Sequence, residues 1–587
     1  MHPKRENALP TGNESFARGP GKSVREILVR AAIVFLLSCL VLSFTMSLRP
    51  KMYDEGFALS AAMRIEAGQI PHRDFYVNYG PAQFYILAGL FKLFGPSLLV
   101  ERVYDLSIKA LVLVLVCAIA SSYCRPSVVL GAACLTGLWV FGLLNESCGY
   151  VVAPVSLLNL AGTALVLPVI GGGLSKWRML TVGLIAGLGI LFRYDTGLAM
   201  FAFDVFVVAV AVYLRFEMTS ARVRSFLSVI WPCISGVALV VLPPVIFYLS
   251  VAPLHPFFHD VLLFPSKYYV KGRGLPFPRV TLMRFDYLVV YLLLLLEGIA
   301  IYFGTMHLRR IRGDIRNVGK LQDWLWFLFA FGFLAFAMYF KGWVRISPLQ
   351  EYLSIIPCIL LLAILVEKQA AFPHVVRASI AGIGILFVST AAWAGLRELR
   401  NLYVEHASVP QRLVSLARGT VPEIRGSWCK NVNPLTRGIC FLPEDDRIRA
   451  IEFVTSHTNP GQKLFSGLTR HDKIYANDDL IYFATQRLPA TRWSHFDPCL
   501  QDRYDIQTDI IHELELNAPP YIVKDSEFDQ IKEPNASSVS SGVRLLDEYL
   551  DNNYEKVGTF GLMSVWQRKP DNLDFRPPVG SPGPDSE

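Results

Sequence analysis

The sequence predicts a polytopic α-helical membrane protein with about eleven transmembrane helices, followed by a C-terminal soluble α/β domain. Three observations support this fold class. The chain of 587 residues is 53% hydrophobic and 18% charged, whereas soluble domains contain about 45–50% apolar and about 25% charged residues. Its long apolar runs lie between residues 27 and 397. Beyond residue 397, short helical and strand patterns alternate as they do in soluble α/β domains.

These patterns divide the chain into three parts. Residues 1–25, rich in Gly, Pro, Asn and charge, predict a disordered cytoplasmic tail. Residues 26–397 form the predicted membrane domain, and residues 398–587 form the α/β domain. A stretch of about 20 apolar residues is long enough to cross a hydrocarbon core of about 30 Å. The predicted spans are 27–48, 97–123, 127–145, 150–170, 178–193, 196–216, 226–250, 285–306, 321–341, 348–366 and 376–396.

The net charge of +8 is distributed over short loops between the apolar runs. A nucleic-acid-binding protein would concentrate such charge on one soluble face, so we expect no nucleic-acid partner. Lys and Arg in alternate loops predict a cytoplasmic N-terminus. With an odd number of spans, the C-terminal domain then lies outside the cytoplasm. We expect a bacterial inner membrane, with the α/β domain in the periplasm.

Two predicted outer loops are long, at 49–96 and 251–284. Long loops on a rigid scaffold commonly carry function. In the first, the pattern from Asp54 to Ala67 predicts a short amphipathic helix that Gly68 ends. An apolar run from Pro81 to Phe94 follows, and it is too short to span a bilayer.

The C-terminal part alternates between helical and strand patterns. It also contains Cys429 and Cys440. In an oxidising compartment these two residues form either a disulfide or two free thiols. The predicted helices are 446–457, 504–514 and 545–552, and the predicted strands lie at 463–466, 521–524, near 557 and at 563–567.

Two adjacent carboxylates, Asp54 and Glu55, follow the first span directly. Charged groups are costly at a membrane boundary and need a reason to be there. One reason is general-base catalysis, in which a carboxylate removes a proton from an attacking hydroxyl or amine. The alternative is helix capping by Asp54, with Glu55 beside the positive helix end.

Further along the same loop, acidic and aromatic residues suit the binding of a sugar. Asp74 and Tyr79 offer a hydrogen-bond acceptor and a stacking surface. The alternative is an interfacial aromatic belt with a Gly-Pro turn. Glu146, at the outer end of the third span, is either a further member of this pocket or a solvated loop acid.

Several cations on the predicted outer side oppose the usual charge bias of membrane proteins. Arg193 either binds a phosphate or forms an ion pair with Asp195 or Asp54. The second long loop contains Lys267 and Tyr268, and Lys341 and Arg345 lie near the same predicted surface. These cations either stabilise a phosphate leaving group or contact anionic lipid headgroups.

At these residues the chain resembles the GT-C glycosyltransferase superfamily, and most of all the branch with protein O-mannosyltransferases and the lipid A aminoarabinose transferase. The resemblance covers most of the chain. In the membrane part it is carried by YDEG at 53–56, Ala62 to Gly68, Pro71, Asp74-Phe75, Tyr79-Gly80-Pro81, LFKLFGPSLLVER at 90–102, FRYDTG at 192–197 and RISPLQEYLSIIPCILLL at 345–362. In the C-terminal part it is carried by LPATRW at 488–493 and PPYIVKDSEF at 519–528.

The resemblance implies an inverting transfer from a polyprenyl-phosphate-linked sugar to a protein, glycolipid or polymer at the outer membrane face. By that likeness Asp54 is the base and Glu55 helps to place the acceptor. Arg193 and the cations of the second long loop face the lipid phosphate. No His/Asp cluster has the spacing of a metal site, so we assign no metal ligand and no cofactor, and the question of a divalent metal stays open.

Two other functions remain open. A transporter or flippase for a lipid-linked substrate would place charges at the middle of its spans and would contain repeated halves. The sequence has no evident internal repeat, and we expect its notable charges at span ends, which favours the enzyme. The other alternative is a non-catalytic scaffold whose C-terminal part binds a partner.

Overall fold

The computed structural model contains a large set of apolar helices and a small C-terminal α/β region, which confirms the predicted fold class. It describes residues 24–45, 51–144, 151–171, 175–215, 219–311, 323–405, 428–429, 440–441 and 447–570. The chain folds into two compact units. The first comprises the described residues within Met1–Arg49, Asn78–His255 and Leu275–Arg425, and the second those within Pro50–Val77, Pro256–Gly274 and Gly426–Glu587.

The first unit is helical because its sequence supplies long apolar runs with few breaks. Its helices are α1 (Val24–Thr45), α3 (Ala82–Phe94), α4 (Leu98–Ser121), α5 (Pro126–Trp139), α6 (Val152–Val166), α7 (Lys176–Phe192), α8 (Tyr194–Arg215), α9 (Thr219–Val251), α12 (Val289–Ile311), α13 (Asp323–Tyr339), α14 (Tyr352–Glu367) and α15 (His374–Glu405). Short π or 3-10 turns extend several of them, at Val140–Leu144, Leu167–Gly171, Phe285–Leu288, Phe340–Arg345 and Gln369–Ala371. The short helix α10 (Leu254–Phe258) begins in the first unit and ends in the second.

Nine of the described helical stretches are long and apolar enough to cross a bilayer, which makes the chain an integral membrane protein. All eleven predicted spans correspond to helices. Two of these helices, α7 with 17 residues and α14 with 16, fall short of the other nine stretches, which reach at least 18 residues once their π or 3-10 turns are included. α14 is buried along nearly its whole length, so it packs against protein on all sides. α15 continues to Glu405, past the predicted limit of the membrane domain at 397.

The second unit gathers two loop segments with the C-terminal residues. The first loop segment supplies α2 (Asp54–Glu66), and the second supplies α11 (Val270–Arg273) after two π turns at His259–Leu263 and Pro265–Tyr269. The C-terminal helices are α16 (Arg447–His457), α17 (Leu480–Thr485), α18 (Tyr504–Asn517) and α19 (Leu545–Asn553). The strands are β1 (Trp428–Cys429), β2 (Cys440–Phe441), β3 (Phe465–Leu468), β4 (Tyr521–Asp525), β5 (Tyr554–Phe560) and β6 (Met563–Arg568).

Four of these strands form one mixed sheet in the order β3-β4-β6-β5. β3 pairs parallel with β4, whereas β4 with β6 and β5 with β6 pair antiparallel. Every residue of β4 is buried, because apolar residues cover both faces of the sheet. Ile522 faces the cluster that contains α18 and α19, and Val523 faces the cluster that contains α16 and α17.

Cys429 and Cys440 lie opposite each other in the antiparallel β1–β2 pair. Opposite residues of antiparallel strands are close enough to be cross-linked in some registers. The disulfide between them stays a prediction, since their side chains lie outside the described part of the structure.

Candidate functional site

Asp54 and Glu55 occupy the first turn of α2, where the positive end of the helix dipole favours carboxylates. Tyr53 holds the N-cap position, and its side chain makes no capping hydrogen bond. The interpretation of Asp54 as the capping residue is therefore wrong. Asp54 is partly exposed, whereas Glu55 is completely buried.

The Glu55 carboxylate closes the turn that leads into α2. Its Oε2 accepts a hydrogen bond of 2.6 Å from the backbone N–H of Lys51. A buried carboxylate needs such donors to offset its desolvation. This hydrogen bond gives Glu55 a structural task, and its role in placing the acceptor stays a prediction.

Gly56 is needed because another backbone passes directly over it. A Cβ atom built on Gly56 would lie 2.5 Å from the Leu480 nitrogen and 2.9 Å from its Cα. The Asp479 N–H also donates to the Met52 carbonyl at 3.2 Å. The start of α2 is thus held against the start of α17, and the sequence offered no local sign of this packing.

The Tyr53 side chain belongs to a buried polar network that surrounds Asp497. Arg273 Nη2 donates to the Tyr53 hydroxyl at 2.5 Å and to Asp497 Oδ1 at 3.0 Å. Tyr53 also donates to Asp497 Oδ1, at 3.1 Å, and Tyr76 donates to Asp497 Oδ2 at 2.9 Å. Burial raises the pKa of the Asp497 carboxyl, but Arg273 and His495 outweigh it and hold the pKa below its usual value.

Next to this network lies a buried Asp–His pair. His495 Nδ1 is 2.6 Å from Asp479 Oδ2, and both side chains are buried. The imidazole stacks on Phe57 at a centroid distance of 4.0 Å. Burial lowers the pKa of His495, but Asp479 outweighs it, so the pKa is raised. Among the described residues, no group hydrogen-bonds its Nε2.

Asp74 is engaged by its own loop. Arg73 donates to both carboxylate oxygens, at 2.9 and 2.7 Å, and the Ile70 N–H donates at 2.7 Å. Burial opposes these hydrogen bonds, but together they lower the pKa of Asp74. Asp74 thus orders this turn, and any role in binding substrate stays a prediction.

Lys267 and Tyr268 lie in the π turn before α11. The Lys267 ammonium is 5.5 Å from the centre of the Tyr268 ring, and the Arg503 guanidinium is 5.0 Å from the same centre. Two cations near one aromatic ring form a cation–π arrangement. Arg273, a cation of the same loop, forms a buried ion pair with Asp497, and this pair compensates the charge of its guanidinium within the protein.

The first unit brings together Tyr79 and Arg193. The Arg193 guanidinium lies 5.4 Å from the centre of the Tyr79 ring. Its Nε donates to Asp195 Oδ1 at 2.9 Å, so the predicted alternative of an ion pair with Asp195 is present. A Cβ on Gly80 would lie 2.1 Å from the Leu191 carbonyl oxygen, which explains how this loop approaches the end of α7 so closely.

Lys341 and Arg345 lie in the 3-10 turn that follows α13. Lys341 donates to Gln350 Oε1 at 2.8 Å and also interacts electrostatically with Asp195. Arg193 and Lys341 therefore act on a common carboxylate in the first unit. Glu146 lies outside the described residues, as does most of the predicted 1–25 tail.

Sequence reasoning missed Asp479, His495 and Asp497. Their partners lie more than 200 residues away or on another element, and no periodic pattern links them. The one local feature that could have drawn attention to these three residues is that they lie on either side of the LPATRW segment. Within the described ranges, no group of three or more His, Cys, Asp or Glu residues has the arrangement of a metal site.

No protein-family model and no curated protein matches this chain. ArnT from Cupriavidus metallidurans bound to undecaprenyl phosphate is a similar solved structure, with 15% identity, 93% of this chain and 98% of that chain covered, and a TM-score of 0.46. The Archaeoglobus fulgidus oligosaccharyltransferase in complex with Zn and sulfate has 12% identity, 84% and 68% coverage, and a TM-score of 0.42. Arabinofuranosyltransferase AftD from Mycobacteria has 14% identity, 94% and 42% coverage, and a TM-score of 0.44. At such identities and TM-scores, these likenesses assign neither a reaction nor a residue role to this chain.

Proposed function

We propose that this protein is an inverting glycosyltransferase that moves a sugar from a polyprenyl-phosphate donor to an acceptor at the non-cytoplasmic membrane face. One observation carries the proposal. Of the two adjacent carboxylates in the YDEG motif, Glu55 is buried and bonded to Lys51, whereas Asp54 remains partly exposed. Tyr53 and Gly56 hold the turn in place, so the motif presents one accessible carboxylate.

In the proposed reaction, Asp54 removes the proton of an acceptor hydroxyl or amine as that group attacks the anomeric carbon of the donor. The bond from the anomeric carbon to the phosphate oxygen breaks, and the electron pair leaves with the polyprenyl phosphate. Attack opposite the leaving group inverts the anomeric configuration. Because the lipid phosphate is itself the leaving group, the protein needs no nucleotide pocket.

Cations stabilise negative charge that develops on a leaving phosphate. Lys267, in the same unit as Asp54, is the cation we assign to this task, and the roles of Arg193 and Lys341 in binding phosphate stay predictions from the sequence. Arg193 Nε donates to both carboxylate oxygens of Asp195, at 2.9 and 3.2 Å. This interaction fixes the guanidinium before any ligand binds, which lowers the entropy cost of binding phosphate.

The substitution Asp54→Asn tests the base assignment. We expect transfer from a panel of polyprenyl-phosphate sugars to fall about 10²–10⁴-fold, with donor binding and thermal unfolding unchanged. Glu55→Gln is the matched comparison, and it should lower the unfolding temperature because Lys51 loses a charged acceptor. Full transfer activity in Asp54→Asn would overturn the proposal.

Two buried carboxylates favour a second candidate function, transport of a lipid-linked substrate. Asp204 lies midway along α8 and is completely buried, and neither of its oxygens has a hydrogen-bond partner among the described residues. Glu297 is buried in α12 and accepts from the Ser354 hydroxyl at 2.6 Å. The expectation that the notable charges lie at span ends therefore fails for these two residues, and such residues mark substrate or proton paths in many transporters.

Reconstituted vesicles separate the two candidates. A transporter would translocate a fluorescent polyprenyl phosphate across the bilayer, and Asp204→Asn would stop it while Asp54→Asn would not. An enzyme would show the reverse dependence in the transfer assay. Absence of translocation by the native protein would exclude the transport candidate under these conditions.

A further inference from the structure

The second unit contains a polar cleft of about 460 Å³, which is within the range of small-molecule sites. It lies where the C-terminal end of α2 meets the LPATRW segment and α18. The cleft is lined by four cationic side chains, those of Arg64, Arg73, Lys463 and Arg492. Two carboxylates, Asp74 and Glu513, also line it. The cleft therefore carries a formal excess of two positive charges.

Arg64 forms the fixed floor of this cleft. Its Nε donates to Gln69 Oε1 at 2.5 Å, and Nη1 donates to the Thr491 carbonyl at 3.0 Å and the Ser494 hydroxyl at 2.9 Å. Burial lowers the pKa of Arg64 to about 10, so it stays charged at neutral pH. All three named acceptors are neutral, so these bonds fix the guanidinium without cancelling its charge.

The other three cations differ in how far the protein neutralises them. Arg73 is paired with Asp74 through both carboxylate oxygens. Lys463 donates to a neutral amide, Asn517 Oδ1, at 2.7 Å. Arg492 lies over the Trp493 ring at 4.7 Å, and its Nη2 is 3.8 Å from Asp260 Oδ2, beyond hydrogen-bond distance.

Arg492 also has donor capacity left over. Its Nε is buried and has no hydrogen-bond partner among the described residues. Glu513 accepts from the backbone N–H of Arg492 and also interacts electrostatically with Arg492. An anion in the cleft would thus meet Lys463 and Arg492, two cations that the protein itself leaves incompletely paired.

We propose that this cleft binds an anionic saccharide, that is, a sugar segment of the acceptor bearing a phosphate or carboxylate group. Guanidinium and ammonium groups bind such oxyanions, and the amides of Gln69 and Asn517 donate to and accept from hydroxyls. This inference rests on the proposed function. It adds the chemical class of the acceptor to the transfer reaction.

The position of the cleft makes it an anchoring site and not the reaction centre. Arg64 lies ten positions after Asp54 in α2, which is about 15 Å at 1.5 Å per residue. Binding at such a distance contributes to acceptor affinity and orientation while the reacting hydroxyl lies elsewhere.

Binding to the full-length protein in detergent tests the proposal without a transfer assay. The probes are digalacturonate, mannose 6-phosphate and the neutral disaccharide cellobiose, measured by calorimetry. We expect at least one charged probe to bind at least tenfold more tightly than cellobiose, with an affinity that falls as salt is added. Equal affinity for charged and neutral probes, or no binding of either charged probe, would overturn it.

Variants identify the cleft as the place where the charged probe binds. The double variant Lys463→Gln/Arg492→Gln should weaken binding of the charged probe at least tenfold. The single variant Lys463→Arg keeps both positive charges and should retain most of the native affinity. Arg544→Gln removes an exposed cation elsewhere in the same unit and should change nothing. Native affinity in the double variant would refute the assignment of this site.

The two proposals fail in different ways. Asp54→Asn should bind the charged probe like the native protein, because Asp54 is remote from the cleft. If Asp54→Asn keeps transfer activity, the base assignment fails and the binding result still stands. If the cleft variant keeps its probe affinity, the saccharide site fails whatever Asp54 does. In transfer assays with a charged acceptor, the cleft variant should raise KM more than it lowers kcat.

Discussion

At the scale of single residues, the YDEG segment shows how one short motif meets several requirements. Tyr53 joins the Asp497 network, Glu55 accepts from Lys51, and Gly56 leaves room for the backbone at Leu480. Asp54 remains the accessible carboxylate. The motif is thus mostly a means of fixing one side chain at the start of a helix.

Asp497 is the residue whose loss should destabilise this network most. Asp497→Asn removes the charge that compensates Arg273, and the two are buried together at 3.0 Å. Breaking a buried pair by removing one partner costs about 3–5 kcal/mol, so we expect a clearly lower unfolding temperature by tryptophan fluorescence. Asp505→Asn, in an exposed pair with Arg503, is the control and should cost less than about 1 kcal/mol.

Asp502 should make the stability of the second unit depend on pH. Burial raises the pKa of its carboxyl to about 6, above the unfolded value of about 4. Between these values the folded state binds the extra proton, so stability falls as pH rises from about 4 to 6. Asp502→Asn should flatten this part of a stability–pH curve by about 3 kcal/mol, and an unchanged curve would contradict the assignment.

Single residues were predicted well where the reason was local. The ion pair of Arg193 with Asp195 followed from their spacing, whereas the role of Asp54 as the base stays a prediction. The pairing of Arg273 with Asp497 joins positions 224 apart, and His495 joins Asp479 across a loop. No periodicity in the chain encodes such pairings, because they depend on tertiary packing.

At the scale of elements, solvent preference explains most of what was predictable. Apolar runs identified all eleven predicted helices of the membrane part, since a helix that faces lipid or is buried in protein must consist mostly of apolar residues. The alternation of patterns placed β3, β4 and β6 within two residues of their observed starts. α17 was missed because it has six residues, all buried, and so shows no amphipathic period.

The packing of α2 against α17 gives a prediction at this scale. Gly56→Ala places a methyl group 2.5 Å from a backbone nitrogen, and backbone cannot move aside as a flexible side chain does. Overpacking of this kind costs about 1–3 kcal/mol, and it should displace Asp54 and reduce transfer. Gly461→Ala is the matched control, since nothing lies within 4 Å of its added Cβ. Equal unfolding temperatures for the two variants would contradict this account.

At the scale of the whole molecule, the number of spans decides which side of the membrane each loop occupies. Nine described stretches meet the length for crossing, and the short helices α7 and α14 raise the number to eleven. Both numbers are odd. The predicted placement of the two chain ends on opposite sides requires an odd number, so it stays a prediction that needs α7 and α14 either both to cross or both not to cross.

Reporter fusions test this arrangement. Alkaline phosphatase joined after Pro570 should be active, because it folds only outside the bacterial cytoplasm, and green fluorescent protein joined after Arg310 should fluoresce inside. Exchanging the two reporters at the same junctions provides the control. An inactive phosphatase after Pro570, together with a fluorescent protein there, would place the C-terminal residues in the cytoplasm and remove the proposed outer site.

The assembly of the second unit from three distant segments has a consequence for biosynthesis. Pro50–Val77 leaves the ribosome early, yet most of its partners begin at Gly426, roughly 350 residues later. At about 5–20 residues per second, that delay is on the order of 20–70 seconds. Throughout it, Glu55 and Arg64 lack the neighbours that later enclose them, so a nascent chain is exposed to proteolysis and to chaperone capture until its last third has been translated.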